Sequence, residues 1–315
     1  MARARFRILA TTAALLVGGT IAIQAPAHAA AGLPVAPYVD MGAWPTPSLS
    51  AMSKASGVKS YTLGFVTGAG CKASWFNAYD PRSKWQLGEM NKIRSAGGDV
   101  VVSFGGANGI ELAQACSSVS SLAAEYQAVV KAYSLKYIDV DIEGAAVAEL
   151  ASIKRRSQAL AQVQKATGVR ISLTLPVLPS GLTADGVNVV KAAKAAGVKI
   201  DVVNIMAMDY YSGGGDYGTF AVKAANATYN QVKSIYPGWA IIGITPMIGK
   251  NDDGGTFNLG DAHQVVTFAA GRHLGRLAFW ETTRDRNACN GALYQCTNIK
   301  QKPYDFSKIF ATYHG

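Results

Sequence analysis

The chain has 315 residues, 49% of them hydrophobic and 16% charged, with a formal charge of +10. That composition excludes disordered, collagen-like and coiled-coil proteins and is apolar enough to bury a large core. Thirty-three glycines against eleven prolines fit many short turns, and four cysteines are too few for a small disulfide-built scaffold.

Arg3, Arg5 and Arg7 precede an apolar, small-residue run from Ile8 to Ile23, and Ala27-His28-Ala29 supplies small residues at the spacing a signal peptidase reads. The pattern predicts a secretory signal peptide over residues 1–29. A membrane helix fits less well, because the run is short for a span of about 20 residues and is broken by Thr11, Thr12, Gly18, Gly19 and Thr20. The arginines are not adjacent, which favours general secretion over a twin-Arg route. Removing the segment takes three arginines with it, so residues 30–315 carry +7 instead of +10. No later stretch is apolar enough to cross a bilayer, so a soluble, extracellular product with no membrane partner is expected.

Export permits disulfides. Cys289 and Cys296 close a short loop and are expected to pair, leaving Cys71 with Cys116, although four cysteines allow three pairings. No metal site is expected: C-x-x-C is lacking, and His263, His273 and His314 lie far apart in sequence.

From Pro34 onward, short apolar runs alternate with longer amphipathic stretches. The predicted strands are Ala36–Met41, Tyr61–Val66, Asp99–Phe104, Tyr137–Ile142, Arg170–Leu175, Val202–Met208, Ala240–Ile244 and Arg276–Trp280. Predicted helices between them include Ser121–Tyr133, Ala148–Ala166, Gly186–Ala196 and Tyr217–Ile235. Largely apolar strands suit a parallel sheet covered by helices. Strand starts recur at roughly 25 to 40 residues, the length of one right-handed βα unit. Eight units with no linker predict an α/β protein built as one (β/α)8 TIM barrel over residues 30–315, with a doubly wound open sheet as the alternative. The basic cluster Lys154-Arg155-Arg156 falls in a helical stretch and reads as a solvated outer face. No basic run is interleaved with aromatics, so no nucleic-acid partner is expected.

In such a barrel the chemistry sits at the C-terminal ends of the strands. There the informative stretch is Lys136-Tyr137-Ile138-Asp139-Val140-Asp141-Ile142-Glu143. Side chains alternate along a strand, so Asp139, Asp141 and Glu143 share one face at spacings of about 7 Å, while Ile138, Val140 and Ile142 face the helices. Packed acids raise one another's pKa, and a carboxyl that keeps its proton near neutrality serves as a general acid. A Mg²⁺ or Ca²⁺ cluster is the weaker reading, since such ions draw oxygens from several segments.

Asp139-x-Asp141-x-Glu143 resembles the catalytic motif of glycoside hydrolase family 18, the chitinases and endo-β-N-acetylglucosaminidases. Ser103-Phe104-Gly105-Gly106 resembles that family's S-x-G-G motif on the third strand, and Asn204-Ile205-Met206-Ala207-Met208-Asp209-Tyr210 its sixth strand. Trp280 stands where the family places a sugar-stacking tryptophan, and Pro246–Asp252 resembles a seventh-strand loop of secreted bacterial members. The resemblance implies that Glu143 protonates the glycosidic oxygen while the substrate's own N-acetyl carbonyl attacks, giving an oxazolinium ion and retention. Asp141 would hydrogen-bond the acetamido N–H, and Asp139 would share a proton with Asp141.

Two positions depart from the family pattern. Lys136 replaces an Asp often found seven residues before the Glu, and the sixth-strand Met-x-Tyr fits two registers. Met208-Asp209-Tyr210 supplies a hydroxyl and makes Tyr210 the fourth catalytic candidate; Met206-Ala207-Met208-Asp209 puts methionine where tyrosine belongs. Trp280, Met208, Asp209, Ser103, Gly105, Gly106 and Tyr38 are the expected substrate-binding residues, with Trp44, Trp75 and Tyr211 as further aromatic candidates. Gly105-Gly106 with Gly109 lacks the Lys-Ser/Thr of a phosphate loop and lets the backbone turn. Asp252-Asp253-Gly254-Gly255 reads as a turn. The expectation is therefore a monomeric, cofactor-free hydrolase of N-acetylglucosamine polysaccharides. An enzyme acting on N-glycan chitobiose cores and a non-catalytic glycan-binding or inhibitor protein on the same barrel are the alternatives.

Overall fold

A computed structural model describes Met1, residues 32–212 and residues 214–315. The expected signal peptide, Met1 apart, lies outside the described residues. Eight strands run side by side in chain order: β1 (Tyr38–Asp40), β2 (Tyr61–Gly68), β3 (Val100–Gly105), β4 (Tyr137–Asp141), β5 (Arg170–Leu178), β6 (Ile200–Met206), β7 (Ile242–Thr245) and β8 (Arg276–Leu277). Every pairing along this path is parallel. The Ala36 N–H donates to the Leu277 carbonyl (3.0 Å), Leu277 N–H to Pro34 O (2.7 Å) and Tyr38 N–H to Phe279 O (3.0 Å). These bonds join the last strand to the first and close the barrel.

A helix follows each strand: α1 (Leu49–Ser56), α2 (Leu87–Ser95), α3 (Val119–Tyr133), α4 (Leu150–Thr167), α5 (Ala184–Ala195), α6 (Tyr217–Val232), α7 (Leu259–Arg272) and α8 (Asp305–Phe310), with additional short helices at Leu112–Ala115 and Thr282–Asn287. The core lies between strands and helices, where Ile138, Val140 and Ile142 are all fully buried. Helix starts follow local chemistry. Ser118 caps α3 through the Ser121 N–H, and Asn258 with Asp261 forms a reciprocal capping box on α7.

Where boundaries differ from expectation, a backbone cause is visible. α6 stops at Val232 instead of Ile235, because Pro237 disfavours helical geometry just before it. β6 stops at Met206, three residues before Asp209 turns to φ +48°. β8 is short as a ladder, but Ala278 N–H still donates to Ile244 O (2.9 Å) and Trp280 N–H to Pro246 O (2.8 Å).

Of the basic cluster on α4, Lys154 is exposed as expected, but Arg155 and Arg156 are not part of a solvated face. Arg156 is 2% exposed and pairs with Glu111 at 2.8 Å, and Arg155 donates to the Ala113 carbonyl. The helix turns this side toward the short Leu112–Ala115 helix instead of toward water. Both disulfides are formed, Cys71–Cys116 and Cys289–Cys296. The first ties the segment after β2 to the segment after β3; the second closes a loop beyond β8.

Candidate active site

The register of β4 decides the site. Asp139 lies opposite Ser103 on β3 and Ser172 on β5, and Asp141 lies opposite Gly105 and Thr174. Parallel neighbours therefore bring hydroxyls around the first acid. Asp139 is fully buried and accepts from Ser103 (2.7 Å) and Tyr38 (3.0 Å) on Oδ2, and from Ser172 (2.6 Å) and Thr174 (2.9 Å) on Oδ1. The network runs on through Asn204, which donates to Thr174 (3.0 Å) and accepts from Thr245 (2.9 Å), while Arg276 donates to Ser172 (2.8 Å). Burial holds the Arg276 guanidinium below its ordinary pKa, with Asp139 acting in the opposite sense.

Asp141 stands differently. It is buried, yet its Oδ1 has no hydrogen-bond partner in the protein. Burial, the nearby Glu143 carboxylate and then Asp139 push its pKa well above the ordinary carboxylate range. Among the described residues no hydrogen bond joins it to Asp139, so the expected shared proton is replaced by four hydroxyl donors on Asp139. Glu143 follows the strand in extended backbone, at the start of a short 3₁₀ turn over Gly144–Val147. Burial pushes its carboxyl up to about 7, with the Asp209 carboxylate adding to the effect. Gly105 has φ +101°, and a Cβ there would stand 2.0 Å from the Asp141 carbonyl oxygen. Only glycine lets β3 pass this close to the acids.

Asp141 and Glu143 line one cavity of about 430 Å³ at the C-terminal end of the strands, together with Tyr38, Met208, Asp209 and Trp280. The Trp280 ring is backed by Phe65 (5.6 Å, stacked) and tilted against Tyr38 (5.9 Å). Asp209 Oδ1 accepts from the Asp252 N–H (2.7 Å) and the Asp253 N–H (3.3 Å). Burial raises its pKa, helped by the charges of Asp252 and Asp253.

Four expected residues are not brought to the cavity. Tyr210 is 5% exposed, with its ring packed against Tyr217 and Phe220 of α6 and its hydroxyl buried without a partner. The φ of +48° at Asp209 turns the chain after Met208, so the register that reaches the cavity carries methionine in the tyrosine position. Ser103 lies beneath, bonded to Asp139, and does not line the cavity. Gly105 and Gly106 shape backbone: Gly106 N–H donates to Asp141 O (3.3 Å), and a Cβ there would strike the Phe65 ring. Of the other aromatics, Trp75 is buried and donates to the Tyr133 hydroxyl (2.8 Å), while Trp44 and Tyr211 are exposed outside the cavity lining. Lys136 pairs with Asp99 (3.4 Å) at the start of β4, away from the acids.

Asp40, Phe65, Phe76, Met206, Asp252 and Tyr294 also line the cavity and were not singled out for the site by sequence. Asp40 was within reach, as a polar residue at the C-terminal end of the first predicted strand. Asp252 was masked by its turn composition, and Tyr294 by its place between two paired cysteines. Glu281 is a further buried acid, accepting from Thr283 N–H and Arg284 N–H (2.8 Å each) and from Asp40 N–H (3.4 Å). Burial pushes it up to about 7.

With this geometry in view, residues 44–252 match the sequence model of glycosyl hydrolases family 18. The chain is 37% identical over 305 residues to a probable bifunctional chitinase/lysozyme of Escherichia coli (strain K12), covering 88% of this chain and 34% of that protein. It is 38% identical over 283 residues to Endochitinase 11 of Metarhizium anisopliae, covering 83% of this chain and 54% of that one. The chain thus spans about a third and about half the length of these two curated relatives. Its structure is similar to the catalytic domain of a hyperthermophilic chitinase from Pyrococcus furiosus, with a TM-score of 0.82 and 32% identity over 90% of this chain and 95% of that one.

Proposed function

The chain belongs to glycosyl hydrolases family 18, and we propose that it is a secreted, retaining hydrolase of the β-1,4 linkages between N-acetylglucosamine units of chitin. One observation carries the proposal. Glu143, with its carboxyl pushed up to about 7, and Asp141, with a buried and unpartnered oxygen, line the same cavity as Trp280.

Each group has a chemical task. Glu143 holds its proton up to near neutrality and delivers it to the glycosidic oxygen as that bond breaks. The substrate's acetamido carbonyl oxygen attacks the anomeric carbon from the opposite face and forms an oxazolinium ion. Asp141 accepts the acetamido N–H on its free oxygen, which aligns the carbonyl and stabilises the developing positive charge. Glu143, now a carboxylate, takes a proton from water as the water oxygen bonds the anomeric carbon and the bond to the acetamido oxygen breaks, so two displacements leave the configuration retained. Trp280 offers an aromatic face to the apolar C–H face of a sugar ring. Asp139 touches none of the reacting atoms and fixes the floor beneath Asp141. Secretion is supported by the basic-then-apolar segment ending at Ala29 and by two disulfides, which persist in oxidising compartments. The matched relatives carry chitinase names, which supports chitin over an N-glycan as substrate.

The test compares substrates. The chain from residue 30 onward is expected to release short oligosaccharides from colloidal chitin, with β-anomers first, and to lose this in Glu143→Gln. Release of mannose-rich glycan from a high-mannose glycoprotein without action on chitin would overturn the substrate assignment. Binding of chito-oligosaccharides with no turnover by the unmodified chain would overturn the enzymatic one.

A further inference from the structure

The Cys289–Cys296 loop reaches the cavity. Tyr294, between the two cysteines, lines it while remaining 69% exposed. Its ring packs on no other aromatic ring and its hydroxyl makes no hydrogen bond among the described residues. An uncovered tyrosine in a cavity wall has its ring face available to a ligand.

The loop beneath it is fixed. Gln295 N–H and Cys296 N–H both donate to the Ala292 carbonyl (3.0 and 2.9 Å). Asn298 bonds Gly291 in both directions, at 2.8 and 3.0 Å. Thr297, just after Cys296, docks the loop on the segment after β7, since Lys250 N–H donates to Thr297 O (2.8 Å). That contact is close enough that a Cβ on Gly249 would stand 2.2 Å from the same oxygen. An aromatic ring presented by a stiff, cross-linked loop loses little entropy on binding, which is the physical use of preorganisation.

We infer that Tyr294 is a sugar-stacking residue, held in the cavity wall by the Cys289–Cys296 cross-link, and that this disulfide serves substrate affinity as well as the fold. The inference rests on the glycan-hydrolase reading above and adds a second aromatic platform to Trp280. A stacked ring is worth a modest affinity gain, so Tyr294→Ala is expected to raise KM for chitohexaose by roughly threefold to tenfold, with kcat changed less than about twofold. Tyr294→Phe keeps the ring and is expected to restore KM. Cys289→Ser/Cys296→Ser frees the loop and is expected to raise KM severalfold; adding Tyr294→Ala in that background should then cost less than it does alone.

Chitohexaose binding to Glu143→Gln, with and without Tyr294→Ala, gives a readout that does not need turnover. An unchanged KM and an unchanged Kd on removing the ring would overturn the inference and leave the hydrolase reading standing. Failure of the unmodified chain to cleave chitohexaose, together with failure of Glu143→Gln to bind it, would overturn both. Full additivity of Tyr294→Ala with the cysteine variant would overturn the part assigned to the disulfide.

Discussion

Asp139 and Asp141 sit two positions apart on β4, share a residue type and a face, and occupy opposite environments. Asp139 is fully buried and accepts four hydroxyl hydrogen bonds. Asp141 lines the cavity with one oxygen unpartnered and a raised pKa. Depth along the barrel axis, rather than residue type, decides which buried acid holds the floor and which is free to meet a ligand. The lower acid is satisfied because neighbouring strands present Ser103 and Ser172 at its register, while Thr174 and Tyr38 reach it through their hydroxyls. The upper one stands opposite Gly105, which offers no side chain, and Thr174, whose hydroxyl donates to Asp139 instead.

The largest effect separates both from Glu143. Glu143→Gln removes the proposed proton donor and is expected to lower kcat by about 10²- to 10⁴-fold with little change in KM, measured on a chito-oligosaccharide. Next, Asp141→Asn is expected to lower kcat by roughly 10²- to 10³-fold while changing the urea midpoint little, because the amide keeps the shape and carries no charge where burial disfavours one. Asp139→Asn should invert that pattern. Its amide turns a donor toward hydroxyls that already donate, so a stability loss of about 1–3 kcal/mol is expected in urea, with the smaller loss of activity. Equal responses from the two variants would erase the contrast between floor and mouth.

A smaller effect lies in pH. As the proposed proton donor Glu143 acts only when protonated, so kcat/KM is expected to fall as pH rises through about 7. Asp209→Asn removes a charge that helps to hold that proton, and the limb should move to lower pH by less than about one unit. The smallest concerns stability. Glu281 titrates near 7 in the folded chain against an ordinary 4.5. Between those values the folded state keeps a proton that the unfolded chain has released, so the stability present at acid pH is lost as pH rises through about 7. Glu281→Gln is expected to flatten this slope in thermal melts from pH 4 to 8, leaving the part that Glu143 contributes over the same window.

Much of this was legible in the sequence because it depends on local period. Alternation along β4 places Asp139, Asp141 and Glu143 on one face, and repeated strand–helix units specify the barrel. What was not legible depends on where the backbone turns and on which loops converge. Tyr210 offers the hydroxyl that the motif asks for, but the left-handed backbone at Asp209 sends it into the helical layer. Arg156 reads as a surface residue until the Leu112–Ala115 helix supplies Glu111 beside it. Asp252 belongs to a real turn, with Gly254 N–H donating to Asn251 O, and its composition therefore conceals its second place in the cavity wall. Tyr294 reaches the cavity only because a loop beyond β8 folds back onto the segment after β7.

The most direct measurement is the titration of the Glu143 carboxyl itself, by carbon-13 NMR of the chain from residue 30 onward, with Glu143→Gln identifying the resonance. A midpoint near 7 is expected from its burial beside Asp209. A midpoint at the ordinary value near 4.5 would leave the group ionised at neutral pH and contradict its role as the proton donor.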